Sequence, residues 1–152
     1  MTKSPTFFAQ MAAVAVALLT GAAAHAQTKV ASYESGKPGT DQYEELSFWV
    51  KEGKRADIYY ARGKDRRESK GSYLTQTGKT NGASFAVRLA DNRLLTIIPG
   101  GSQLKVADSA QGTPKTFVWK YEGPVDGIGT FCRECAANPK EAMALLRAYY
   151  LK

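Results

Sequence analysis

The sequence predicts a mainly β domain: a single small antiparallel barrel or sandwich of about seven strands in a meander, with one C-terminal amphipathic helix packed on it. Three observations point there. Short runs of alternating apolar and polar residues recur between Tyr43 and Tyr121, and compact Gly, Asn and Asp turn signals separate them. The one stretch with helical periodicity follows the last of these runs.

Residues 1–26 read as a secretory signal peptide. Lys3 is the early charge, Phe7 to Leu19 is an apolar run broken only by Gln10, and Ala24-His25-Ala26 supplies a small-residue end, which places cleavage after Ala26. A membrane anchor competes with this reading. The apolar run, however, is short of the roughly 20 residues a span requires and ends in small residues. No Cys lies near the cleavage point, so the leader does not read as that of a lipoprotein. The expected location is periplasmic or secreted, with no transmembrane anchor after cleavage.

Removing the first 26 of 152 residues leaves 126, enough for one domain with its own core. The whole chain carries a formal charge of +7, and loss of Lys3 brings it to +6. A basic exported domain is drawn towards phospholipid headgroups, lipopolysaccharide, teichoic acids or acidic proteins. An unidentified protein or an anionic envelope component is therefore the expected partner. Nucleic acid binding by a barrel carrying Arg66, Arg67 and surface aromatics is argued against by export. The only histidine, His25, leaves with the signal. That excludes Ser-His-Asp and Cys-His mechanisms and any His-ligated zinc or copper centre. No catalytic residue, metal site or cofactor is expected.

Residues 27–42 are polar and read as an N-terminal arm, with Val30 to Tyr33 as its only strand-like stretch. The domain proper then spans 43–152. Tyr43 to Lys51 alternates with Leu46, Phe48 and Val50 on one face. Glu52-Gly53-Lys54 turns it, and Arg55 to Ala61 returns in phase as the second arm of a hairpin. Arg62 to Gly71 is the most charged segment. Arg62, Lys64, Arg66, Arg67 and Lys70 form a candidate anion-binding set, since guanidinium forks match phosphate and carboxylate oxygens. A solvated connection between strands is the plainer reading, because no Gly-rich phosphate cradle accompanies the charges.

Ser72 to Thr77 is a weaker strand, and Gly78 to Gly82 leads into a central meander. There Phe85, Val87 and Leu89 alternate with polar or small neighbours, whereas Arg93 to Ile98 is apolar on both faces, as a central strand would be. Asp108 to Pro114 reads as a loop. Lys115 to Tyr121 places Phe117, Trp119 and Tyr121 on one face as a core wall. After a Gly- and Pro-rich stretch from Glu122, Asn138 caps a helix, Pro139 fits its first turn and Glu141 completes a box-like cap. Ala142, Met143, Leu145, Leu146, Tyr149 and Tyr150 then form its apolar stripe.

Cys132-Arg133-Glu134-Cys135 is the one constellation with chemistry of its own. After export the expected state of Cys132 and Cys135 is a disulfide that fixes the turn ahead of the helix. A thiol–disulfide redox site is the alternative. Against it, the long helix begins after the pair, so no helix dipole lowers a thiol pKa. Haem attachment would need His where Ala136 stands. The sequence thus describes an exported, non-catalytic binding or accessory protein of the bacterial cell envelope, inhibitor-like in character, with a redox protein as the alternative.

Overall fold

The computed structural model describes residues 28–77, 84–121 and 134–151. Residues 1–26, expected to be a signal peptide, together with residues 78–83, the Gly- and Pro-rich sequence from Glu122 and the first cysteine, Cys132, lie outside the described residues. In chain order the strands are β1 (Thr28–Ser35), β2 (Glu44–Lys51), β3 (Lys54–Arg62), β4 (Arg67–Thr77), β5 (Ser84–Leu89), β6 (Leu94–Gly100), β7 (Gln103–Asp108) and β8 (Gln111–Lys120). A two-residue strand, β9 (Glu134–Cys135), and helix α1 (Pro139–Tyr149) follow.

Each strand from β1 to β7 pairs antiparallel with its successor, and β1 also pairs with β8. The sheet therefore closes on itself as an up-and-down barrel, not a sandwich. Closure removes the exposed edges that a sheet of this length would otherwise present. The seam between β1 and β8 is short, joining Ser32–Glu34 to Val118–Lys120. Beyond it β9 takes over, running parallel to β1 with Lys29 opposite Glu134 and Val30 opposite Cys135.

Side-chain alternation decides what fills the barrel. Leu46, Phe48 and Val50 of β2, Ile58 and Tyr60 of β3, and Phe85, Val87 and Leu89 of β5 all face inward and are buried. β7 and β8 add Leu104, Val106 and Phe117. Gly71 of β4 is a close-approach point, since a Cβ there would stand 2.7 Å from Val87 Cγ1.

α1 plugs one end. Its cap has the expected form: Asn138 Oδ1 accepts from Glu141 N at 3.0 Å, and Glu141 reaches back to the Ala137 amide at 3.0 Å. The buried stripe of Ala142, Met143, Leu145 and Leu146 joins the barrel core. Tyr150, just past the helix, is fully buried. Its ring lies 5.4 Å from Phe48 and 5.5 Å from Phe85, and its hydroxyl donates to Trp49 O at 2.8 Å. Arg55 holds the helix end by donating to Tyr149 O at 2.8 Å while lying 4.2 Å from the Tyr73 ring. Burying each such aromatic contributes on the order of 1.5–3 kcal/mol.

Four expectations are corrected. The polar arm over 27–42 is instead strand β1 over Thr28–Ser35, an integral barrel member with Ala31 and Tyr33 inside, which raises the barrel to eight strands. The charged segment is a hairpin: β3 runs to Arg62 and β4 begins at Arg67, so Arg62 and Arg67 pair across a tight turn. The stretch Asp108–Pro114 belongs mostly to β7 and β8, with Pro114 tolerated beside an irregularity in their register. Finally, the aromatic wall of β8 splits: Phe117 is fully buried, Trp119 packs at the core's margin, and Tyr121 is 56% exposed.

Candidate functional site

The outer face of β1 and β2 is polar in sequence yet buried. Ser32 is 3% exposed, Glu45 4% and Ser47 7%. A buried carboxylate is rare and demands donors. Glu45 Oε2 accepts from Tyr43 OH at 2.7 Å, from Lys120 Nζ at 2.8 Å and from Arg66 Nη2 at 2.9 Å, and Oε1 accepts from the same Nη2 at 3.0 Å. Tyr43 also donates to Glu34 at 3.0 Å, and the Ser32 and Ser47 hydroxyls bond each other at 2.9 Å.

Local backbone geometry assembles this cluster. Gly36 (φ +79°) lets the β1–β2 loop fold back so tightly that a Cβ there would lie 2.5 Å from Gln42 O. This delivers Tyr43 over the outer wall. Tyr43 O in turn accepts from Gly63 N at 2.8 Å, which ties the β3–β4 turn to the same place. Arg66 closes that turn in the left-handed region, φ +47°, which non-glycine residues seldom adopt. Its grip on Glu45 holds it there. Burial, followed by the hydrogen bond to Glu45, pushes the Tyr43 phenol well above its ordinary range, so it stays a donor.

Beside the cluster lies a groove of about 330 Å³ on the outside of β2, β3 and β4. Alternation sets out its walls: Glu45, Ser47 and Trp49 from β2, Tyr59 and Ala61 from β3, with Arg66 and Glu68 at the rim. Trp49 and Tyr59 meet edge to face at 5.9 Å and 77°. The Trp49 indole N–H is buried with no hydrogen-bond partner among the described residues. Ser47 sits opposite Tyr59, and Glu45 opposite Ala61, across the β2–β3 ladder.

The sequence-singled cations do not act as one set. Arg66 is bound to Glu45, and Lys70 is paired with Asp57, which pushes its pKa upward. Arg62, Lys64 and Arg67 are exposed around the β3–β4 turn. Cys135 lies in β9 against Val30, where Ala136 N donates to Val30 O at 3.0 Å. Its partner in the motif, Cys132, lies outside the described residues. A second cleft, about 640 Å³, runs between α1 and the β6–β7 turn, with Met143 and Ala144 flanked by Lys140 and Arg147. Its one polar amide, Asn138, is committed to capping α1.

Glu45 and Tyr59 escaped the sequence reading as functional candidates. On a strand pattern they are merely the outward half of two alternating runs. The one local signal was a Trp and a Tyr at outward positions of adjacent strands, where solvent-facing polar residues are the rule. Compared with known proteins, the chain matches no family model, no curated protein and no solved structure. Among the described residues no group of three His, Cys, Asp or Glu side chains is placed to hold a metal ion. Likewise no helix among them is long and apolar enough to cross a membrane.

Proposed function

We propose that this chain is an exported, non-catalytic binding or accessory protein of the bacterial cell envelope, inhibitor-like in action. The observation that carries the reading is the state of Glu45. It is the one buried charged residue among those described, and it is held by Tyr43, Lys120 and Arg66. A general acid or base must reach the proton it moves, and Glu45 is only 4% exposed. A carboxylate gripped by two cations and a phenol is instead an anchor that fixes surrounding side chains. The filled interior supports the same reading, because the recognition surface then falls on the outer wall.

In this reading residues 1–26 are removed after Ala26, the mature chain is periplasmic or secreted, and Cys132 and Cys135 form a structural disulfide. The pair would then secure β9 at the barrel seam. The partner is a protein or an anionic component of the envelope. A thiol–disulfide role is disfavoured, because Cys135 precedes the Asn138 cap instead of sitting within the first turn of α1. A reduction potential below about −300 mV for the pair is expected of a structural bond.

The test is retention of a defined envelope fraction on the immobilised mature chain, with the retained component recovered unaltered. Retention that is lost when the groove is altered by Trp49→Ala supports the reading. Chemical conversion of the retained component overturns it.

A further inference from the structure

We propose that the groove over β2 and β3 takes a carboxylate-bearing saccharide, with a sugar ring against Trp49 and Tyr59 and the carboxylate on Arg66. This rests on the reading of the protein as a binder and names the ligand class.

Arg66 supplies the first argument. Both of its contacts among the described residues are made by Nη2, to the two oxygens of Glu45. The guanidinium is thereby fixed in orientation while its side chain stays 58% exposed at the groove rim. Its Nε and Nη1 donors remain uncommitted among those residues, and a planar fork presented this way matches a carboxylate.

The groove walls supply the second. Trp49 and Tyr59 stand nearly perpendicular, forming an aromatic corner against which the C–H face of a pyranose ring can lie. The Trp49 N–H is itself buried, so a ligand meets the ring and not the donor, while Ser47 adds a hydroxyl to the same wall. Glu68, exposed on the rim, offers an acceptor for hydroxyl donors. A ligand with hydroxyls, ring oxygens and one carboxylate uses all of these groups, whereas an apolar ligand uses only the rings.

The sheet topology argues against a peptide added as a strand. Each of β2, β3 and β4 is laddered to a neighbour on both sides. No open edge exists there for an extended peptide to join as a strand, so recognition rests on side chains alone. The groove's size, near the lower end of the roughly 300–1,000 Å³ of ligand pockets, suits one or two rings.

The probe is trigalacturonic acid titrated into the mature chain by calorimetry, beside neutral galactotriose and the tripeptide Ala-Ala-Ala. The expected result is binding of the acidic sugar at least about tenfold tighter than either control. Arg66→Gln lowers that affinity about tenfold or more, whereas Arg67→Gln, on the same turn, changes it less than about twofold. Thermal melts of both variants check folding. Should Arg66→Gln fail to fold, Arg66→Lys keeps the charge facing Glu45 but loses the planar fork, and it lowers affinity in the same direction. Equal binding of galactotriose, or an equal loss in Arg67→Gln, overturns the assignment, the latter by showing general charge attraction. Tighter binding of the tripeptide replaces it with a peptide site. If no probe binds while an envelope component is still retained unaltered, the ligand class fails and the binder reading stands.

Discussion

Strand β2 carries two buried faces that are buried for different reasons. Inside the barrel Leu46, Phe48 and Val50 exclude water by packing, and Phe48 alone meets the rings of Tyr33, Phe85 and Tyr150. On the outer wall Glu45 and Ser47 are almost as inaccessible, yet they are covered by polar partners: Tyr43 from two residues away, and Ser32, Arg66 and Lys120 from distant segments. The inner face gains its stability from apolar area removed from water. The outer face gains little net stability from its polar contacts, because each replaces a contact with water. What the outer face gains is geometry, in the form of a fixed Arg66 and a shaped groove. Burial by itself therefore does not separate core from site; the chemistry of what is buried does.

This contrast can be broken or sharpened by experiment. Phe48→Ala is expected to have the largest effect, about 3–5 kcal/mol from lost transfer energy and an unfilled cavity, read by urea denaturation. Glu45→Ala is expected to cost less, about 1–3 kcal/mol, because Arg66 and Lys120 retain access to water and Tyr43 keeps its longer bond to Glu34. If Glu45→Ala proved more damaging than Phe48→Ala, the outer cluster would be the foundation of the fold and the division proposed here would be wrong.

Alkaline pH probes both faces at once. Burial pushes the phenols of Tyr33, Tyr60 and Tyr150 inside, and of Tyr43 outside, above their ordinary range. Such groups bind protons more tightly folded than unfolded. Their contribution is full below about pH 10, the unfolded value, and is lost as pH rises through the higher folded values. Stability is thus expected to fall above about pH 10, by up to about 1.4 kcal/mol per pH unit for each proton involved. Denaturant midpoints between pH 8 and 12 measure it, and Tyr43→Phe should make the slope shallower without abolishing it. The smallest change expected is Asn138→Ala, about 1 kcal/mol from loss of the α1 cap, read as a lowered melting temperature.

Much of the inner face was legible in the chain. Alternation marked Leu46, Phe48 and Val50, and Phe85, Val87 and Leu89, as one-sided runs, and Asn138 with Glu141 marked the helix start to the residue. β1 was obscured because its outward residues Ser32 and Glu34 are polar and its run is flanked by small residues, so it resembled a loose arm. The hairpin at Arg62–Arg67 was hidden by charge, which reads as solvated connection whether or not the backbone is extended. The outer site was illegible for a different reason. Arg66 meets Glu45 across 21 residues, and Lys120 meets it across 75, so no local pattern encodes either contact. The left-handed backbone at Arg66 leaves no trace in residue type at all.

The chain's two tryptophans stand on opposite sides of the wall. Trp49 lines the outer groove, and Trp119, opposite Tyr33 in the seam, packs on the core. Fluorescence of Trp49→Phe and Trp119→Phe titrated with trigalacturonic acid asks directly which face recognises the ligand. A ligand-dependent change retained in Trp119→Phe and lost in Trp49→Phe is the predicted result; a change that persists in Trp49→Phe and vanishes in Trp119→Phe would place recognition inside the barrel and contradict the account.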